Sequence, residues 1–277
     1  MVFQEIHLLD LLGNYNYIEE INMGSFNKIL VFDLETIRDL DMGKRYLHLD
    51  SNVPDEEVNK LLDEKYRKTE DEDNIFLKPI FWKIISIGAL KVSSGNIESF
   101  GALTIDDSIS EKELLDRFLK SITQEYQIVT YNGNSFDLPI LRYRAMYYKL
   151  NAGSIHKSRY NNRDYWYRFG KDHIDLCDIL SGYNSFQKPS LEEVCALIDI
   201  PVKIDGMKGN QVKDLFYDKK YEEISQYCET DVLSTYILFL RYSLVTTQIT
   251  EDEYNEYLSN LYTYIEKTNR EYLKNYL

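Results

Sequence analysis

Apolar residues in this chain fall in short blocks whose spacing predicts most of the elements. NKILVFDLE, residues 27–35, is an apolar run of strand length that ends in acids, and it predicts a buried strand. FWKIISIGALKVSSGNIESFGAL predicts a hairpin, two strands about the turn residues Ser93, Ser94, Gly95 and Asn96. SISEKELLDRFLKSIT has helical periodicity, with Ser110 placed to cap it. QIVTYN is a further short strand that breaks at Gly133, and a helix is predicted from near Asp137 through LPILRYRAMYYKL. HIDLCDIL and SLEEVCALI both pattern as helices and precede a glycine-containing loop, DGMKGN. Two helices, KKYEEISQYCETDVLSTYILFLRY and EDEYNEYLSNLYTYIEKTNREYLKNYL, complete the chain. The opening to about Phe26 patterns as a short helix and a loop.

From Arg38 to about Leu77 strong apolar positions are few, so this stretch predicts a partly mobile surface insertion with one helix in PDEEVNKLLDEKYRK. Three early strands, a helix, a fourth strand and then mostly helices describe a mixed α/β sheet with helices packed on it. The 277 residues suit one domain. Its expected parts are a core over about 27–243, an N-terminal arm over 1–26, the 38–77 insertion and a helical extension over 250–277.

Composition narrows the class. No apolar run approaches the roughly 20 residues of a membrane span, and the N-terminus carries acids without a basic segment, so no secretory signal is expected. Cys177, Cys195 and Cys228 are far apart, sit in apolar contexts and lack metal-type spacing, which predicts reduced core thiols. A cytoplasmic enzyme without membrane partners is the expectation. The formal charge of -14 argues against a generic nucleic-acid binder. The charge is uneven, however. Residues 138–171 hold eight basic side chains (Arg142, Arg144, Lys149, Lys157, Arg159, Arg163, Arg168 and Lys171) against one acid, Asp164, interleaved with aromatics. Such a stretch is either a solvated face or a track that holds phosphates and stacks bases.

The candidate chemistry lies in three short segments. In FDLET, Asp33 and Glu35 stand at i and i+2, so on a strand both carboxylates leave one face and repel each other unless a cation intervenes. YNGNSFD supplies Asp137 at a strand-to-helix junction. YCETD supplies Asp231, with Tyr227 one helical turn earlier on the same face. Each has an ordinary structural explanation: an acidic strand end, a helix cap, an exposed stripe. Taken together, four acids with no histidine or cysteine among them suit a pair of hard divalent ions, which can clamp both oxygens of a phosphodiester displacement.

In that order, FDLET, YNGNSFD and YCETD resemble the three exonuclease motifs of the DEDD superfamily in its tyrosine branch (DEDDy), whose third motif is Y-x-x-x-D. The histidine branch needs a histidine five residues before Asp231, where this chain has Gln226. The likeness covers about Lys28 to Tyr242. It is closest to the proofreading exonuclease domain of family B DNA polymerases and to stand-alone bacterial proteins predicted to be 3′-5′ exonucleases. GMKGNQVKDLF, followed by EEISQYCETDVLSTYILFLR, also resembles the stand-alone proteins.

The resemblance implies a ribonuclease H-like α/β fold and a metal-dependent 3′-5′ exonuclease acting on single-stranded nucleic acid, DNA before RNA. It implies two Mg²⁺ or Mn²⁺ ions, one held by Asp33, Glu35 and Asp231, the second by Asp33 and Asp137, with Tyr227 orienting the attacking water. Leu34 and Thr36 are expected to flank the terminal nucleotide, and Asn132 and Phe136 to line the strand channel. Arg142 and Arg144 are expected on the phosphate track. Asp175 is expected to make a second-layer or substrate contact, or to be a helix-surface acid. No polymerase-sized region accompanies these motifs, so partnership with a polymerase or DNA-repair complex is expected in trans. Two alternatives stand beside this: an exoribonuclease or oligonucleotide hydrolase on the same site, and an inactive nuclease fold serving in binding or assembly. The presence of all four carboxylates and the tyrosine counts against the second.

Overall fold

In the computed structural model, which describes residues 28–69, 75–123, 125–156, 163–200, 211–268 and 270–276, the first apolar run becomes the central strand β1, Lys28–Arg38. The hairpin follows as β2, Trp82–Ser93, and β3, Asn96–Thr104. Ser94 and Gly95, both at positive φ, make its turn. β4 is Gln127–Thr130, and a fifth strand, β5, is His173–Asp175. The sheet order is β3-β2-β1-β4-β5. β1, β2 and β3 pair antiparallel, whereas β4 and β5 run parallel to β1. This mixed five-stranded sheet, flanked by helices, is the ribonuclease H-like α/β architecture that the sequence implied.

Alternation along β1 divides the core. Ile29 and Val31 enter one cluster, and Leu30, Phe32 and Leu34 enter another across the sheet. The first cluster is covered by α8, Tyr221–Val245, whose residues from Val232 to Leu240 are buried without interruption. A helix apolar all round must be covered on every side. Here α6, Leu191–Leu197, and α9, Glu251–Lys267, supply that cover. The second cluster is closed by α3, Glu111–Ser121, capped by Ser110 as its sequence predicts, and by α4, Asp137–Tyr148. Pro139 is tolerated because it sits in the first turn of α4, where backbone N–H groups have no helical partner.

Three local expectations are corrected. HIDLCDIL does not form one helix. Its first three residues are β5, because all three are buried and His173 bonds the Thr130 hydroxyl on β4 at 2.8 Å; only Leu176–Leu180 is helical, as α5. The 38–77 stretch is packed rather than loose in its described part. It contains α1, Leu40–Leu47, and α2, Asp55–Tyr66, around a small core of Leu40, Val58, Leu62, Ile75, Leu77 and Phe81. Those apolar positions are far apart in sequence and one lies past the stretch, so no local period reveals them. The final helix stops at Lys267, and a 3₁₀ turn, Glu271–Tyr276, follows. The N-terminal helix and loop, and the DGMKGN loop, lie outside the described residues. Cys177, Cys195 and Cys228 are buried free thiols, as expected. Among the described residues no helix is long and apolar enough to cross a membrane.

Candidate active site

β1 carries Asp33 and Glu35 on the face that α8 covers, and the pairing with β2 shifts register between Glu35 and Thr36. α8 approaches closely because Gly88 of β2 lies directly opposite Asp33. A Cβ there would stand 2.8 Å from Cys228 Sγ and 2.9 Å from Val232 Cγ2. The turn of α8 at this crossing presents Tyr227, Cys228 and Asp231. Tyr227 is buried against Ile37 and Ile85, and its phenol hydrogen-bonds the Asp231 carboxylate. Asp137, only 3% exposed, arrives from the start of α4 at the end of β4, with its Oδ1 buried and unpartnered.

Each of the other three acids acts on Asp33 through its charge. Burial pushes Asp33 well above the usual carboxylate range, and the charges of Asp137, Glu35 and Asp231 push it further. Burial does the same to Glu35, aided by Asp231 and Asp137. Asp137 is pushed up to about 7, chiefly by burial, with backbone N–H groups opposing. Among the described residues, no basic side chain is among the groups that act on these three. A cluster of acids that its own protein leaves uncompensated is suited to a divalent cation. The orphaned Asp137 oxygen and the adjacent carboxylates of Asp33 and Glu35 fit such an ion.

Cys228 was expected only as a core thiol, yet its Sγ and oxygens of Asp33 and Glu35 all lie within 4.8 Å of one another. Burial raises its pKa strongly and its S–H donates to the Asp33 carbonyl at 3.6 Å, so it stands as a protonated wall of the site. Its position three residues before Asp231 was the available signal, since i and i+3 share a helix face.

The remaining expected residues are placed as follows. The Leu34 side chain is 5% exposed in the core across the sheet, so it offers the site its backbone N–H, which lowers the pKa of Asp33 and Asp137. Thr36 is half-buried just past the register shift. Asp175 is the keystone of the Asn132 loop. It accepts the N–H groups of Asn132 at 2.8 Å and Asn134 at 2.9 Å, and it caps α5. Asn132, at φ 66°, also accepts from Lys188 Nζ at 2.8 Å. Two partners that sequence reasoning missed complete this loop. Asp178, held down at about 2 against the cost of its burial by Arg168, Lys188 and Asn134, pins Arg168 at 2.7 Å and Lys188 at 2.9 Å. Phe136, half-buried, packs its ring beside Phe76 and Trp82.

The expected phosphate track is corrected at Arg144. That residue is 5% exposed, and its guanidinium is paired with both Asp39 and Glu111. A buried arginine between two carboxylates has no charge left for phosphate. Arg142 is half-buried with its guanidinium 3.5 Å from the Trp166 ring centre. Arg163 pairs with Asp172 and Arg168 with Asp178. Lys157 and Arg159 lie outside the described residues.

Acids on the central strand of this sheet, beside the start of α4 and the Tyr227 turn of α8, mark a candidate metal-dependent site. The family described as "Predicted 3'-5' exonuclease related to the exonuclease domain of PolB" matches residues 74–277, and the chain belongs to it. The matched part holds Asp137, Tyr227 and Asp231, while β1 precedes it. The chain is 24% identical over 164 residues to the catalytic polypeptide of DNA polymerase epsilon from Dictyostelium discoideum, covering 52% of this chain and 6% of that protein. It is also similar to a family B DNA polymerase structure from the hyperthermophilic archaeon Pyrobaculum calidifontis, at 16% identity and a TM-score of 0.47. That likeness covers 87% of this chain and 29% of that one. The chain thus spans a small part of both relatives. Exonuclease domains of its family's type are metal-dependent.

Proposed function

We propose that this chain is a DEDDy-type 3′-5′ exonuclease that removes nucleotides from the 3′ end of single-stranded nucleic acid, DNA in preference to RNA, releasing nucleoside 5′-monophosphates. The observation that carries this is the mutual electrostatic influence of Asp33, Glu35, Asp137 and Asp231 beside Tyr227, with no basic side chain of the described residues acting on Asp33, Glu35 or Asp137. Kinship with a DNA polymerase supports DNA as the substrate. Action in trans to a polymerase or repair complex belongs to the same proposal.

Asp33, Glu35 and Asp231 would hold one divalent ion, Mg²⁺ or Mn²⁺, and Asp33 with Asp137 a second. Bound there, the ions would neutralise the cluster, make water nucleophilic near neutral pH and stabilise charge on the phosphodiester. Tyr227 has a different task. Burial and the acids around it drive its pKa upward, so the phenol keeps its proton and works as a hydrogen-bond donor, not as a base. Held by Asp231 and packed against Ile37, it fixes the direction from which water approaches the terminal phosphate. The Leu34 N–H and the Asn132 loop, braced by Asp175, border the same space.

The division of roles is tested by Tyr227→Phe and Asp231→Asn, with Mn²⁺ affinity measured by calorimetry and turnover by product release. Tyr227→Phe is expected to lower kcat roughly 10²-fold, the scale of one positioned proton-handling group, with Mn²⁺ affinity retained. Asp231→Asn is expected to lose both. Equal loss of Mn²⁺ affinity in the two variants would contradict the assignment.

A further inference from the structure

Phe76 is 71% exposed, yet its backbone is fixed on both sides. Ile75 and Leu77 turn inward and are buried in the core of the 38–77 unit. The Ile75 carbonyl accepts from Arg38 Nη2 at 2.8 Å, and the Leu77 carbonyl accepts from Trp82 Nε1 at 3.0 Å. A side chain between two anchored, buried neighbours is held outward by the alternation of the chain. Arg38 is the last residue of β1, so the anchor belongs to the strand that carries Asp33 and Glu35. The Phe76 ring lies 5.3 Å from that of Trp82 and 5.4 Å from that of Phe136, and Phe136 immediately precedes Asp137. An exposed phenyl beside two half-buried rings leaves an apolar, aromatic surface open to water at the edge of the site.

We infer that Phe76, backed by Trp82 and Phe136, is a stacking platform for a nucleobase of the bound single strand. Every base has a π-face, so such a platform grips a strand without reading its sequence. Phe136 alone was expected in the strand channel; Phe76 and Trp82 extend the channel onto the 38–77 unit and give that unit a substrate role. This rests on the exonuclease reading above.

The test uses 5′-fluorescein single-stranded DNA carrying one abasic nucleotide, moved stepwise from the 3′ end. Binding is measured by anisotropy with Ca²⁺, and turnover with Mg²⁺. In the wild type, one abasic position is expected to raise Kd and KM about ten-fold, equivalent to ~1.4 kcal/mol and within the range of one base–aromatic stack. Phe76→Leu, a surface change the fold tolerates, is expected to weaken intact DNA by the same factor and to abolish the abasic penalty. Phe76→Trp is expected to retain both. Turnover by the wild type with the same abasic profile in Phe76→Leu overturns the platform and leaves the exonuclease standing. A Phe76-dependent abasic penalty in binding without turnover keeps the platform and overturns the exonuclease. Neither binding nor turnover overturns both.

Discussion

Asp33, Glu35 and Asp137 weaken the fold at neutral pH. Their pKa values in the folded protein lie above those of the unfolded chain, so the folded state binds more protons near neutral pH. Stability then rises as pH falls through the raised values, and at neutral pH the uncompensated charges are a cost. Asp33→Asn is therefore expected to raise the metal-free Tm at pH 7 by a few degrees. The gain should vanish below about pH 4, where the unfolded carboxyl is protonated as well. Mg²⁺ is expected to reverse the order, raising the Tm of the wild type and leaving the variant unmoved. Scanning calorimetry in EDTA and in Mg²⁺ checks this; a variant less stable than the wild type in EDTA at pH 7 would make Asp33 a structural acid. The placement of Asp33 and Glu35 on one face was legible in the sequence, because i and i+2 on a strand point the same way. Cys228 offered only its i, i+3 spacing to Asp231 as a signal, and Asp178 none, because a salt-bridged acid gains its meaning from neighbours distant in the chain.

At the scale of elements, the site depends on how closely α8 lies on the β1–β2 pair. Gly88→Ala would drive a methyl group into Cys228 and Val232. Overpacking of this kind typically costs about 1–3 kcal/mol, and here it displaces the turn that carries Tyr227 and Asp231. The expected outcome is a lower Tm together with a fall in kcat larger than any change in KM; an unchanged kcat would show that the helix position is not critical. On its far side the same turn is tied down by Glu229, which accepts the Ala102 N–H at 2.9 Å and pairs with Arg270 and Tyr272. The hairpin, α3, α4 and α8 could be read from periodicity and caps. β5 could not, since three residues are too few to show a period and its strand character comes from pairing with β4. The small core of the 38–77 unit escaped for a related reason: its members come together only in three dimensions.

For the whole molecule, charge decides how a polyanion is met. If all seven excess positive charges of residues 138–171 contacted phosphates, kcat/KM would fall with a log–log salt slope of about −5. Arg144, Arg163 and Arg168 are instead paired with acids of the protein itself. The expected slope is roughly −3 or shallower, measured from kcat/KM over a salt series; a slope near −5 would restore the track. Recognition would then rest on the 3′ terminus and on aromatic surface more than on a long basic groove. The most direct test of the central proposal is a gel time course on 5′-labelled single-stranded DNA and matched RNA, in Mg²⁺ and in Mn²⁺, with Asp231→Ala run alongside. The predicted result is a ladder that shortens from the 3′ end, faster on DNA than on RNA and abolished by the substitution. No shortening of either strand in either metal, or shortening that survives in Asp231→Ala, would contradict it.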